Sequence, residues 1–144
     1  MKATELMIGD LIRIGDNVGE ICSISAANHK YPDLIEYTLV GKFNESTHTI
    51  GLERVLPIPL TEEILEKNGF EVSSEHARFY FEENGYDDGE IKHSFVLRKM
   101  YRIDNTKEQK GWAFYAFNVL SLIDYVHELQ HALRLCGIEK EIIL

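Results

Sequence analysis

The chain has 144 residues, and 24 acidic against 15 basic side chains give it a formal net charge of −9. Apolar residues make up 44 % and charged residues 27 %, which excludes a disordered or fibrous protein and suits one domain or two very small ones. The negative charge also disfavours direct, non-specific binding to nucleic acid or to an anionic membrane surface.

The sequence gives no support for export or membrane insertion. Residues 1–10 contain no apolar run of signal-peptide length, and no window approaches the roughly 20 apolar residues that a membrane span requires. The two cysteines, Cys22 and Cys136, are far apart and have no CxxC partner. We therefore expect a cytoplasmic protein with no membrane partner, in which both thiols are reduced.

Residues 1–58 have the pattern of several short strands. Turn-forming residues such as Gly15 and Gly19 follow the first of them. Short strands joined by glycine-containing turns favour a small SH3-like β-barrel. The strands are predicted at 11–14, 20–25, 35–40 and 47–50.

Residues 59–144 are expected to form a second part. Pro57 and Pro59 favour an extended connection, and Thr61 and Gly69 are suited to begin and end a short helix. An antiparallel β-meander and a C-terminal helix are predicted at 76–83, 95–103, 112–117 and 121–136. The predicted fold class is therefore α+β, with the two parts packed as one compact unit.

The acidic charge is concentrated in one segment. Residues 61–90 hold ten acidic and two basic side chains, whereas residues 91–110 hold two acidic and six basic ones. A solvated hairpin beside a basic strand explains this distribution, and an acidic surface that imitates nucleic acid or binds a basic partner is the alternative. The acidic segment and the aromatic residues of the meander together give a candidate partner or ligand surface, formed by Tyr80, Asp87, Asp88, Trp112 and Tyr115.

His127, Glu128 and His131 form an HExxH sequence within the predicted C-terminal helix. Two histidines four residues apart share one helix face and can bind zinc, with the glutamate as general base. Only 13 residues follow His131 and none is histidine, so a third ligand would have to come from His76 or His93. The alternative is a solvated helix face, because the pattern lies away from the apolar stripe of the helix.

Three segments of the chain, taken together, carry a resemblance to known proteins. They are MKATELMIGDL at residues 1–11, VLPIPLTEEILEKNGF at 55–70 and YVHELQH at 125–131. Their order and spacing resemble a family of small uncharacterised proteins that prophages and mobile elements of Bacteroides-type bacteria encode. The resemblance spans nearly the whole chain and implies the same two-part layout, a cytoplasmic phage-associated role and a packing helix over HELQH. It implies no activity and no catalytic residues.

The leading functional prediction is a non-enzymatic, phage- or mobile-element-associated binding protein that needs no cofactor. Its partner would be a macromolecule or a small ligand, and its aromatic sheet offers a face for homo-oligomer contacts. One alternative is a zinc-dependent hydrolase that uses His127, Glu128 and His131. The other is a nucleic-acid-associated or nucleic-acid-mimicking protein, which rests on the barrel analogy and the acidic segment.

Overall fold

The structure, a computed structural model, describes residues 5–25, 34–40, 46–83, 91–101, 109–116 and 119–144. The predicted α+β class is confirmed, because the described residues form two antiparallel sheets and two α-helices. The helices are α1 (Glu62–Lys67) and α2 (Val126–Leu135). The chain divides into two compact units, Met1–Ile58 with Tyr125–His127 and Pro59–Asp124 with Glu128–Leu144.

The first unit contains a four-stranded meander. Its strands, in spatial order, are β1 (Leu11–Ile14), β2 (Asn17–Ser25), β3 (Leu34–Leu39) and β4 (His48–Gly51). A 3₁₀ turn at Leu52–Arg54 follows, and Leu56 then exchanges two backbone hydrogen bonds of 2.9 Å with Arg13 in β1. Within the described residues this sheet is open, with no closed barrel. Its buried core is formed by Leu6, Ile12, Ile21, Ile35, Ile50 and Val55.

The short helix α1 begins and ends where the sequence predicts. The Thr61 hydroxyl accepts a hydrogen bond of 3.2 Å from the Ile64 N–H, which satisfies one of the free amides of the first turn. Gly69 follows the helix with a φ of 77°, in the left-handed region that glycine favours. The Phe70 N–H then donates back to the Leu65 carbonyl at 3.0 Å, so the chain turns sharply toward the second sheet.

The second sheet has five antiparallel strands. They are β5 (Glu71–Val72), β6 (His76–Glu83), β7 (Ile91–Tyr101), β8 (Gln109–Ala116) and β9 (Val119–Ile123), paired in that order. The three strands of the predicted meander correspond to β6, β7 and β8. The edge strands β5 and β9 were not predicted, and β9 occupies part of the segment expected to be helical.

The C-terminal helix is therefore shorter than predicted, and its expected start at residue 121 is wrong. Leu122 and Ile123 fit the apolar stripe of a helix, but they alternate in the structure, with Leu122 exposed and Ile123 buried. That two-residue period belongs to a strand. α2 begins at Val126 and ends before Gly137, whose φ is 71°.

Asn68 fixes the last residues of the chain against α1. Its amide nitrogen donates to the carbonyls of Ile64 and Ile143, both at 2.7 Å, and its side-chain oxygen accepts from the Ile143 N–H at 2.9 Å. The side chain is only 2 % exposed, so these contacts satisfy polar atoms that have little access to water.

Candidate partner-binding surface

The second sheet has one packed face and one open face, because successive residues of a strand point to opposite sides. The packed face is apolar and buried: Ala77, Phe95, Leu97, Trp112, Phe114 and Ile123. The opposite side, called the open face below, is formed by Arg78, Tyr80, Val96, Arg98, Tyr115, Leu120 and Leu122. Its largest apolar members are well exposed: Tyr115 by 65 %, Leu120 by 60 %, Leu122 by 59 % and Tyr80 by 46 %.

The register of the strands places the side chains of the open face in two rows. In one row Arg78 lies opposite Val96, and Tyr115 lies opposite Leu120. In the other, Arg98 lies opposite Ala113, which in turn pairs with Leu122. The open face thus combines two guanidinium groups with aromatic and aliphatic side chains.

A groove of about 490 Å³ runs across this face. Ala113 is buried at its base, and its small side chain leaves space beside the longer Arg98 on the neighbouring strand. The groove is lined by Arg78, Val96, Arg98, Ala113, Tyr115 and Leu120. Concave, largely apolar sites with a few polar groups are the usual form of binding sites.

Arg78 is held in place by its neighbour Tyr80. Its Nη1 donates a hydrogen bond of 3.2 Å to the tyrosine hydroxyl, and its guanidinium carbon lies 5.9 Å from the centre of the ring. The hydrogen bond to Tyr80 raises the pKa of Arg78, and the nearby Glu71 carboxylate adds to this effect. Arg78 therefore presents a fixed positive charge at the β6 side of the groove.

The packed face supports the open face from below. The rings of Phe95 and Phe114 stack with centroids 4.5 Å apart, and Phe70 lies 6.2 Å from Phe95. Lys99 is almost fully buried, forms an ion pair of 2.7 Å with Glu62 of α1, and lies 5.5 Å from the ring centre of Trp112. These contacts fix the strands that carry the exposed side chains.

The structure separates the residues that the sequence grouped as one partner surface. Tyr80 and Tyr115 share the open face, but Trp112 is 1 % exposed and lies on the packed face. Trp112 therefore contributes to the core, which corrects its predicted place beside Tyr115. Asp87 and Asp88 lie outside the described residues.

Sequence reasoning missed several members of the open face, among them Arg78, Leu120 and Leu122. Residues 119–123 read VLSLI, which is apolar at consecutive positions, so no signal in the sequence distinguishes the exposed leucines from buried ones. For β6 and β8, aromatic residues at both parities made either face a candidate for burial.

The three residues of the HExxH sequence are buried or half-buried, and two of them have defined contacts within the protein. His127 is 3 % exposed, which corrects the predicted solvated face, and its ring stacks on Tyr125 with centroids 5.8 Å apart. The Glu128 carboxylate accepts a hydrogen bond of 2.7 Å from the Asp124 N–H ahead of α2, as acidic residues in a first helical turn often do. His131 is half-buried.

No metal centre forms around these histidines in the part of the chain that the structure describes. There, no three His, Cys, Asp or Glu side chains come together in a group able to hold a metal ion. His76 pairs with Arg98 across β6 and β7, and His93 stacks on Phe81 at 5.6 Å. The two histidines considered as third ligands therefore both lie on strands of the second sheet.

Comparison of the chain with family models, curated proteins and solved structures finds no match. Across the described ranges, every helix is too short or too polar to cross a membrane. The geometry of the open face is therefore the main evidence on function.

Proposed function

We propose that this chain is a non-enzymatic binding protein, and that the open face of its second sheet holds a macromolecular partner. The observation that carries the proposal is the cluster of four exposed apolar side chains beside a groove that also contains Arg78 and Arg98. Tyrosine and arginine are enriched in protein interfaces, where they contribute much of the binding energy. The partner surface would combine apolar side chains with a compact anionic group such as one or two carboxylates.

A protein partner fits this face better than a nucleic acid does. Leu120 and Leu122 require apolar surface opposite them, which a sugar–phosphate backbone does not supply. The net charge of −9 also opposes the approach of a long polyanion. Association with a prophage or mobile element rests on the sequence resemblance and stays a prediction.

Two finer features belong to the same proposal. The first unit is an SH3-like barrel, supported by the return of Leu56 to β1 and by the irregularity between Ile21 and Ser23 that lets β2 curve. The protein acts in the cytoplasm, supported by the free thiols of Cys22 and Cys136. Cell fractionation tests the location.

The dye 8-anilinonaphthalene-1-sulfonate tests the open face, because it carries an aromatic group and one negative charge. We expect saturable binding that Tyr115→Ser and Arg98→Gln each weaken at least about fivefold, through the loss of roughly 1 kcal/mol of contact. Leu135→Ser is the matched control, since Leu135 is equally exposed but lies on α2. Affinity that is unchanged in both open-face variants would contradict the proposal, and tighter binding of a single-stranded oligonucleotide at low salt would favour the nucleic-acid alternative.

A further inference from the structure

Asn68, which fixes the last residues of the chain, lies in a sequence that favours loss of its own side-chain amide. It is followed directly by Gly69. In an unfolded chain, the backbone nitrogen after an asparagine attacks the side-chain carbon Cγ, and glycine hinders this attack least because it has no Cβ. The attacking nitrogen loses its proton, ammonia leaves, and a five-membered succinimide ring forms. Water then opens the ring to aspartate or isoaspartate, so the whole reaction consumes one water and releases one ammonia.

The folded structure opposes each requirement of this reaction. Ring closure needs the Gly69 nitrogen and the Asn68 Cβ on the same side of the Cα–C bond, whereas the ψ of 15° at Asn68 turns these two atoms apart. The Gly69 N–H, whose proton must be lost, donates to the Glu66 carbonyl at 2.9 Å. The Asn68 side chain is 2 % exposed, so water has little access to it. The reaction therefore requires local opening at the end of α1.

The side chain of Asn68 is held by residues 138–144, called the tail below. Two of its three hydrogen bonds join it to the backbone of Ile143, at 2.7 and 2.9 Å. Every residue of the tail is described and none lies in a strand or helix, and Ile138 and Ile142 are its two buried side chains. Such a segment opens at a lower free energy than the whole fold. Release of the tail thus frees Asn68 from most of its hydrogen bonds before the surrounding unit unfolds.

We propose that Asn68 and Gly69 form a deamidation site that the tail controls. The site is closed while the tail is bound, and it reacts when the tail is released. Either product then opposes the return of the tail. An aspartate has no side-chain N–H, so its carboxylate would face the carbonyl oxygens of Ile64 and Ile143, and isoaspartate inserts a methylene group into the backbone. A transient release of the tail thereby becomes permanent. The inference uses no residue of the open face and is independent of the proposed function.

Peptide mass spectrometry of the full chain, incubated at mildly alkaline pH, measures the rate at which Asn68 is deamidated. We expect this rate to be at least about tenfold lower in the folded protein than in urea. Ile143→Pro removes the N–H that donates to the Asn68 side chain. It should raise the rate in the folded protein about fivefold, which corresponds to one lost hydrogen bond. Ile143→Ala is the matched control, because it keeps both backbone groups and changes only an exposed side chain.

Two references separate release of the tail from loss of the fold. The fluorescence of buried Trp112 reports whether each variant is folded during the incubation. Asn84, which Gly85 follows, is the second asparagine–glycine sequence of the chain and lies outside the described residues. In urea it should react at a rate similar to that of Asn68. An Asn68 that reacts as fast in the folded protein as in urea would overturn the inference, as would equal rates in Ile143→Pro and Ile143→Ala.

Hydrogen exchange tests whether the product keeps the tail released. Asn68→Asp reproduces one of the two products without the reaction. In this variant the amide of Ile143 is expected to exchange at least about fivefold faster than in the unmodified chain, while the fluorescence of Trp112 stays that of the folded protein. Unchanged exchange at Ile143 would mean that the tail also binds the product, and it would overturn the inference that its release becomes permanent.

Discussion

Replacing Asn68 with alanine tests whether one side chain fixes the C-terminus of the chain to α1. The change removes three hydrogen bonds, one to Ile64 and two to the backbone of Ile143. Each contributes about 1 kcal/mol net, and the freed groups of exposed Ile143 regain water, so we expect a loss of about 2–3 kcal/mol in the free energy of unfolding. Asn68→Asp is expected to cost more, because a carboxylate would then face the two carbonyl oxygens.

Urea unfolding followed by tryptophan fluorescence is the assay. Trp112 is the single tryptophan of the chain, is buried, and belongs to the same compact unit as Asn68. A chain that ends at Ile142 serves as the control, since it lacks the partner residue and retains the Ile64 contact. In that background Asn68→Ala should cost about 1–2 kcal/mol less. A cost equal in both backgrounds, or a total loss below about 0.5 kcal/mol, would refute the assigned role.

Two further predictions concern titration and metal binding. Burial raises the pKa of the Cys136 thiol. The contribution of the protonated thiol to the free energy of unfolding is therefore complete below the ordinary thiol pKa and is lost as the pH rises through the raised value. Urea unfolding should give a lower free energy of unfolding at alkaline pH than at neutral pH, and Cys136→Ala should reduce this difference. A pH dependence of the same size in the variant would contradict the prediction. For metal binding, we expect less than stoichiometric zinc in untagged protein and no effect of EDTA on thermal unfolding, because His127 is buried and Glu128 accepts a hydrogen bond at the start of α2. Stoichiometric zinc that His131→Ala abolishes would contradict this prediction and favour the hydrolase alternative over the non-enzymatic one.

The sequence predicted the elements whose signals are local. Helix α1 is the best example, because Thr61 and Gly69 each act through hydrogen bonds or backbone angles within a few residues. The strands β6, β7 and β8 were also recognisable, since apolar and aromatic runs separated by turn residues are typical of antiparallel strands. The Asn68–Ile143 contact joins residues 75 positions apart, and no local pattern indicates it.

The failures at β9 and at Trp112 have one physical cause. Both segments are apolar at consecutive positions, so the sequence alone does not tell which residues face the core. At β9, five residues fit a strand and the first turn of a helix equally well, and pairing with β8 decides the outcome. At β8, Trp112 and Tyr115 are both aromatic, and only the structure shows that Trp112 is buried beside Lys99 while Tyr115 is exposed.

The charge of the chain and the charge of the open face have opposite signs, and their ranges of action differ. At physiological salt the screening length is about 8 Å, so the net −9 acts mainly on ligands that extend over the surface. Arg78 and Arg98 act at contact distance, where screening is weak. A long polyanion therefore meets repulsion along most of its length, whereas one carboxylate among apolar groups meets only the favourable local charge. If the open face binds a partner as proposed, we expect it to favour a compact anionic group within an apolar surface, and added salt should weaken that binding only modestly.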